Sequence, residues 1–162
     1  MNFNLKHQFF DINKILFALL LAFPIFIFGQ SFSTKKQARL DSLNRIINDP
    51  NSADTSVVNS YIELSELLFS SNIDTVIPLC KKALEIGKDA LDRNPSTIVQ
   101  NKLMKSTAVA YNNIGFINKR KGNKAAAIQN YEKALYIQES IGDKKQVSVS
   151  LTNIGAYFYQ QG

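Results

Sequence analysis

The residues able to do chemistry are few, and catalysis would need more than they supply. His7 is the single histidine and Cys80 the single cysteine of the 162 residues. A histidine base, a Ser/His/Asp triad and a histidine-ligated metal all require an imidazole inside the folded domain. His7 lies in a segment that reads as a removable leader. Cys80 falls at helical spacing among apolar residues, where a thiol behaves as a small buried hydrophobe rather than a nucleophile. One cysteine can form no disulfide within the chain. Glu132, Glu139 and Asp143 lack the spacing of a metal-binding loop, and Gly122-Asn123-Lys124 is too short to cradle a phosphate. The residues therefore predict a noncatalytic protein without metal or cofactor.

The leader is defined by its own pattern. Lys6, His7 and Lys14 precede a fourteen-residue apolar run, residues 15–28, and Gly29-Gln30-Ser31 follow with small or polar side chains. That is the layout of a secretory signal peptide over residues 1–29, cleaved just before Gln30. The alternative is a retained membrane anchor. A span needs about 20 apolar residues, however, and Pro24 interrupts this run. No cysteine lies near the junction to carry a lipid. Export to a periplasm or beyond is expected, with no stable membrane span after cleavage.

Charge adds little to this picture. Lys and Arg number 19 against 13 Asp and Glu, and without Lys6, Lys14 and Asp11 the balance is 17 against 12. The excess is scattered through KKQAR, CKK, KRKGNK and DKK, near predicted helix ends where cations complement the backbone dipole. Nucleic-acid binding needs a concentrated basic stripe with base-reading groups, so no nucleic-acid partner is expected.

The elements that hold these side chains are helices throughout. The spacing and stop signals predict helices over 34–48, 53–70, 75–93, 95–121, 124–141 and 144–161. The first forms an N-terminal helix and linker, residues 30–52, and the others form a repeat domain, residues 53–162. Asp74 is expected to cap the third helix, and Asn94 the fourth with Pro95 at its first position. Gly122-Asn123 and Gly142-Asp143 each pair a helix stop with a cap.

Within the repeat domain, Asn113-Ile114-Gly115 returns forty residues later as Asn153-Ile154-Gly155, and Gly122 returns as Gly162. One period reads as two antiparallel helices. Gly115 and Ala134 are small where the paired helices meet, while Ile114, Tyr131 and Leu135 fill the gap. A divergent copy lies upstream, with Leu64, Leu68, Val76, Cys80 and Ala83 in the packing positions and Ser65 in place of the glycine.

These residues are similar to the tetratricopeptide repeat in its forty-residue form. Tyr111, Ile114 and Gly115 match its first helix, and Ala127, Tyr131 and Ala134 its second. Asn118 stands where the family usually has an aromatic, and Phe158 restores one in the next copy. The resemblance covers roughly residues 53–162, most strongly from Tyr111. It implies an all-α fold of antiparallel hairpins stacked as a right-handed superhelix, an α-solenoid. The wider likeness is to the exported sensory region of bacterial tetratricopeptide signalling proteins, whose output is often a histidine kinase or a transcriptional regulator. This sequence contains no such output domain, so the alternative to a free-standing scaffold is a truncated sensory region.

In the family, the first helices of successive repeats line a concave groove. Carried over, the groove positions are Asn112, Asn113, Phe116, Lys119 and Arg120 in one repeat and Asn153, Ala156, Tyr159 and Gln160 in the next. A side-chain amide offers both a donor and an acceptor, so Asn113 and Asn153 suit the backbone of a protein or peptide ligand. The alternative is that they bond between adjacent helices. Lys119 and Arg120 suit a solvated face better than a ligand contact. The last repeat reads as incomplete, and Leu151, Ile154, Tyr157 and Phe158 recur at helical spacing on its one helix. Self-association, partner binding or fraying through this helix is the expected consequence.

Overall fold

The structure is a computed structural model that describes residues 34–159. The leader, its cleavage point and Gln160 lie outside the described residues. The chain divides into two compact units, Met1–Asp41 and Ser42–Gly162. Residues 34–48 are helical (α1), with 34–41 in the first unit and the rest in the second. In the second unit follow α2 (Asp54–Leu67), α3 (Ile73–Asp92), α4 (Thr97–Arg120), α5 (Lys124–Ser140) and α6 (Lys144–Tyr159). Among the described residues there is no strand, as the absence of period-two alternation predicts.

The second unit is an all-α stack of antiparallel hairpins, the tetratricopeptide-like solenoid that the pattern implied. α2 pairs with α3 and α4 with α5, α3 packs on α4 and α5 on α6, and α2 also touches α4. The core concentrates where three helices meet. Val58 and Ile62 of α2, Val76, Cys80 and Ala83 of α3, and Leu103, Ile114 and Ile117 of α4 form one buried cluster. α5 contributes Ala127, Tyr131, Ala134 and Gln138. Ser150 is the one buried residue of α6.

The helix ends correct two capping expectations. Asp74 does not cap α3, because the helix already starts at Ile73. Its carboxylate instead accepts from Lys121 Nζ at 2.6 Å, tying α3 to the end of α4. Nor does Asn94 cap α4 with Pro95 at the first position, since α4 starts at Thr97 behind Ser96. Proline disfavours right-handed helical backbone in the residue before it. Asn94 adopts φ +52°, a conformation asparagine tolerates, and donates its N–H to the Leu91 carbonyl at 3.0 Å. It therefore closes α3 rather than opening α4. The glycine stops hold, with Gly122 at φ +78° and Gly142 at +70°. Asp143 accepts from the Gln146 N–H at 3.3 Å as a cap should, while the Asn123 side chain makes no capping bond.

The close helix crossing is built differently in the two hairpins. A Cβ on Gly115 would lie 2.7 Å from Tyr131 Cε1, 2.8 Å from its Cδ1 and 3.1 Å from the Ala127 carbonyl oxygen. Ala134 is buried, but Tyr131 and Ala127 are what glycine 115 faces. In the first hairpin the corresponding pair is Ser65 and Cys80, with the thiol donating to Ser65 Oγ at 3.4 Å. Ser65 in turn donates to the Ile62 carbonyl at 2.6 Å. Side-chain volume is thus shared evenly in one hairpin and given wholly to one partner in the other. Interior packing density permits either division, provided the total is kept.

Candidate functional site

A concavity of about 390 Å³ opens where α2, α4 and α6 lie side by side. From α4 it takes Val109, Asn112, Asn113 and Phe116, successive positions on one helical face. α6 supplies Gln146, Val149 and Asn153, at the same spacing. Glu66 of α2 and Phe69 just beyond it close the third side. The surface is apolar along one wall, where the Phe69 and Phe116 rings stack with centroids 5.5 Å apart. Phe116 of α4 and Val149 of α6 are 42% and 45% exposed, so each helix presents a large apolar side chain to this concavity.

Of the groove residues the family likeness implied, Asn112, Asn113, Phe116 and Asn153 line this one concavity. The others have different surroundings. Arg120 braces the wall from outside, donating to the Phe69 carbonyl at 3.4 Å while its guanidinium lies 5.9 Å from the Phe116 ring centre. Lys119 lines a separate cavity of about 150 Å³ with Lys124, Tyr131 and Tyr157, and Asn153 reaches both. Ala156 is half-buried and outside the lining. Tyr159 is 90% exposed and lines neither cavity.

The three asparagines are not equivalent. Asn113 donates its amide to Glu66 Oε1 at 3.2 Å and lies 3.5 Å from Ser65 Oγ, joining α4 to α2. Asn112 accepts at its Oδ1 from the Ser150 hydroxyl at 3.2 Å, joining α4 to α6. Ser150 is closer still to Gln138 Oε1, at 2.8 Å, so a buried polar link runs from α5 through α6 to α4. Asn153 is the forty-residue image of Asn113. The residues of α4 that correspond to Ser65 and Glu66 are Gly115 and Phe116, which carry no side-chain acceptor. The partner that occupies the Asn113 amide has therefore no counterpart for Asn153.

Sequence reasoning missed Glu66, Phe69, Val109, Gln146 and Val149. A signal existed for two of them: Val109 and Val149 are also forty residues apart, in the same register as the two asparagines. Glu66 and Phe69 of the divergent copy fall in register with Phe116 and Lys119, and the differing residue types hid that correspondence.

Cys80 has the chemistry of a buried thiol. Burial pushes its pKa from 9.0 to about 11, opposed by the Ser65 hydrogen bond and assisted by the Glu66 charge. A thiol so protonated is a poor nucleophile near neutral pH. Among the described residues no three His, Cys, Asp or Glu side chains gather as a metal site. No described helix is long and apolar enough to cross a membrane.

Residues 106–162 match the tetratricopeptide repeat family, a stretch running from the middle of α4 through α6. No curated protein and no solved structure matches the chain.

Proposed function

We propose that this chain is a noncatalytic interaction scaffold whose ligand is an extended peptide or protein segment lying along α2, α4 and α6. The observation that carries this reading is the three-helix concavity, with an aromatic and valine wall facing a row of amides. An extended segment leaves its backbone N–H and C=O groups unpaired on binding, and each costs free energy if buried without a partner. Side-chain amides supply donor and acceptor together. The apolar wall then takes alternate side chains of the ligand. Asn153 is the amide best placed for the ligand, because the Asn113 amide is engaged with α2.

The reading is tested by selecting peptides from a random display library on the full chain. Val149→Glu and Asn153→Ala should each weaken a selected peptide at least tenfold while leaving helix content unchanged. Selected peptides that bind both variants as well as the parent would place the ligand elsewhere.

The same chain is proposed to act after export, on the strength of its N-terminal pattern, and N-terminal sequencing of the exported fraction should read from Gln30 or within a few residues of it. A second reading, self-association, is favoured by α6, where Leu151, Phe158 and Tyr159 are 51%, 60% and 90% exposed.

A further inference from the structure

Among the residues that line the concavity of α2, α4 and α6, Glu66 alone carries a charge. Other acidic side chains of the described residues have a cation at hand: Asp54 pairs with Arg93, Asp74 with Lys121 and Glu85 with Lys82. Glu66 belongs to none of these pairs. Its Oε1 accepts the Asn113 amide at 3.2 Å, and a neutral amide holds a carboxylate in place without cancelling its charge. Arg120, the cation at the same wall, is turned to the Phe69 carbonyl at 3.4 Å and stands 5.9 Å from the Phe116 ring centre.

We propose that the ligand of this concavity carries a lysine or arginine whose charged head pairs with Glu66 while its aliphatic stem lies along the wall of Phe69, Phe116 and Val109. This rests on the peptide reading above and names the side chain that the site selects. A basic side chain has the same two halves as the surface, an apolar stem and a polar, charged end. An apolar side chain in its place would strip water from the carboxylate and give it no partner. An acidic one would be repelled, since like charges brought together at an interface are costly.

The charge of the whole chain makes this preference diagnostic. Its net charge is +6, so nonspecific attraction draws acidic peptides and repels basic ones. Selection of a basic residue runs against that field and reports a local carboxylate. Glu66 is exposed, which leaves the pair partly screened by solvent and salt. Its contribution is therefore severalfold in affinity, added to the apolar and amide contacts of the same groove. Its main effect is on which segment binds and in what register, because one fixed charge on an otherwise neutral surface sets where the basic residue must sit.

Peptides selected from a random display library on the full chain are titrated against the parent, Glu66→Gln, Glu66→Lys and Asn153→Ala. Glutamine keeps an acceptor for the Asn113 amide, so Glu66→Gln removes the charge and should leave helix content and melting temperature unchanged. The selected peptides should share a lysine or arginine. Glu66→Gln should weaken them about fivefold and Glu66→Lys at least tenfold. Replacing the shared basic residue by norleucine, which keeps the stem, should abolish the difference between the parent and Glu66→Gln. Asn153→Ala changes no charge and reports whether a peptide lies in the groove at all. Peptides weakened by Asn153→Ala that share no basic residue, or that bind Glu66→Gln as tightly as the parent, would overturn the pairing and leave the groove reading standing. Peptides indifferent to Asn153→Ala would overturn the groove reading and the pairing with it.

Discussion

The ring of Tyr131 occupies the space that a Cβ on Gly115 would need, and the hairpin of α4 and α5 closes around that pair. Tyr131 is 1% exposed, and the Cβ position of Gly115 would lie 2.7 Å from its ring. The helices can approach this closely only because one of them has no side chain at the crossing. Burial also raises the Tyr131 pKa.

That relation predicts opposite signs for one substitution at two sites. Gly115→Ala gains about 1 kcal/mol of helix propensity but forces the ring aside, at a cost of about 1–3 kcal/mol, and the crossing backbone of Ala127 leaves it little room. A net loss is expected. Gly155→Ala meets nothing and should keep the gain in the monomer. Chemical denaturation of both variants at low concentration checks the pair; a stabilised Gly115→Ala would show that the ring yields freely. Tyr131→Phe should be neutral or stabilising, because the buried hydroxyl has no hydrogen-bond partner among the described residues.

Asn113 and Asn153 should separate in the same way. Asn113→Ala removes the hydrogen bond to Glu66 and is expected to cost about 0.5–1.5 kcal/mol of stability. Asn153→Ala should stay within about 0.5 kcal/mol, as surface changes do, and lower affinity for a groove peptide instead. Equal losses of stability would mean that the forty-residue images have the same role.

Ser150 supplies the hydroxyl that bridges Gln138 and Asn112. Ser150→Ala leaves the buried Gln138 oxygen without its donor, at about 1–3 kcal/mol. Ser148→Ala, two residues away and exposed, should change stability by less than about 0.5 kcal/mol. Thermal melts of the two variants provide the comparison.

Cys80 makes stability fall in alkali. Its folded pKa, about 11, stands above the ordinary 9.0, so below pH 9 the thiol is protonated in both states and its contribution is fully present. Between pH 9 and 11 the unfolded chain releases the proton while the folded chain holds it, and stability drops with rising pH. Two pH units correspond to about 2–3 kcal/mol. Denaturation curves at pH 8 and pH 11 should show a steeper loss for the parent than for Cys80→Ala; parallel losses would show that the thiol is not desolvated.

The helices, their pairing into hairpins and the small residue at each crossing follow from the sequence by itself, because they depend on local causes. Apolar spacing of 3.6 residues selects the buried face, and Gly122 and Gly142 end helices through their own backbone freedom. The forty-residue return of Asn113-Ile114-Gly115 then places equivalent residues at equivalent heights in the stack. Tertiary structure decided the rest. The Asn113 amide is bound because Glu66, 47 residues earlier, comes beside it, and no local pattern encodes that neighbour. Phe69 joins the concavity for the same reason, and Tyr159 faces solvent although its family position suggested the groove. Asn94 closes α3 because the following proline constrains it in a turn whose direction the packing of α3 on α4 must accommodate. Periodicity assigns a residue to a face of its own helix. What that face meets is determined by helices distant in the chain.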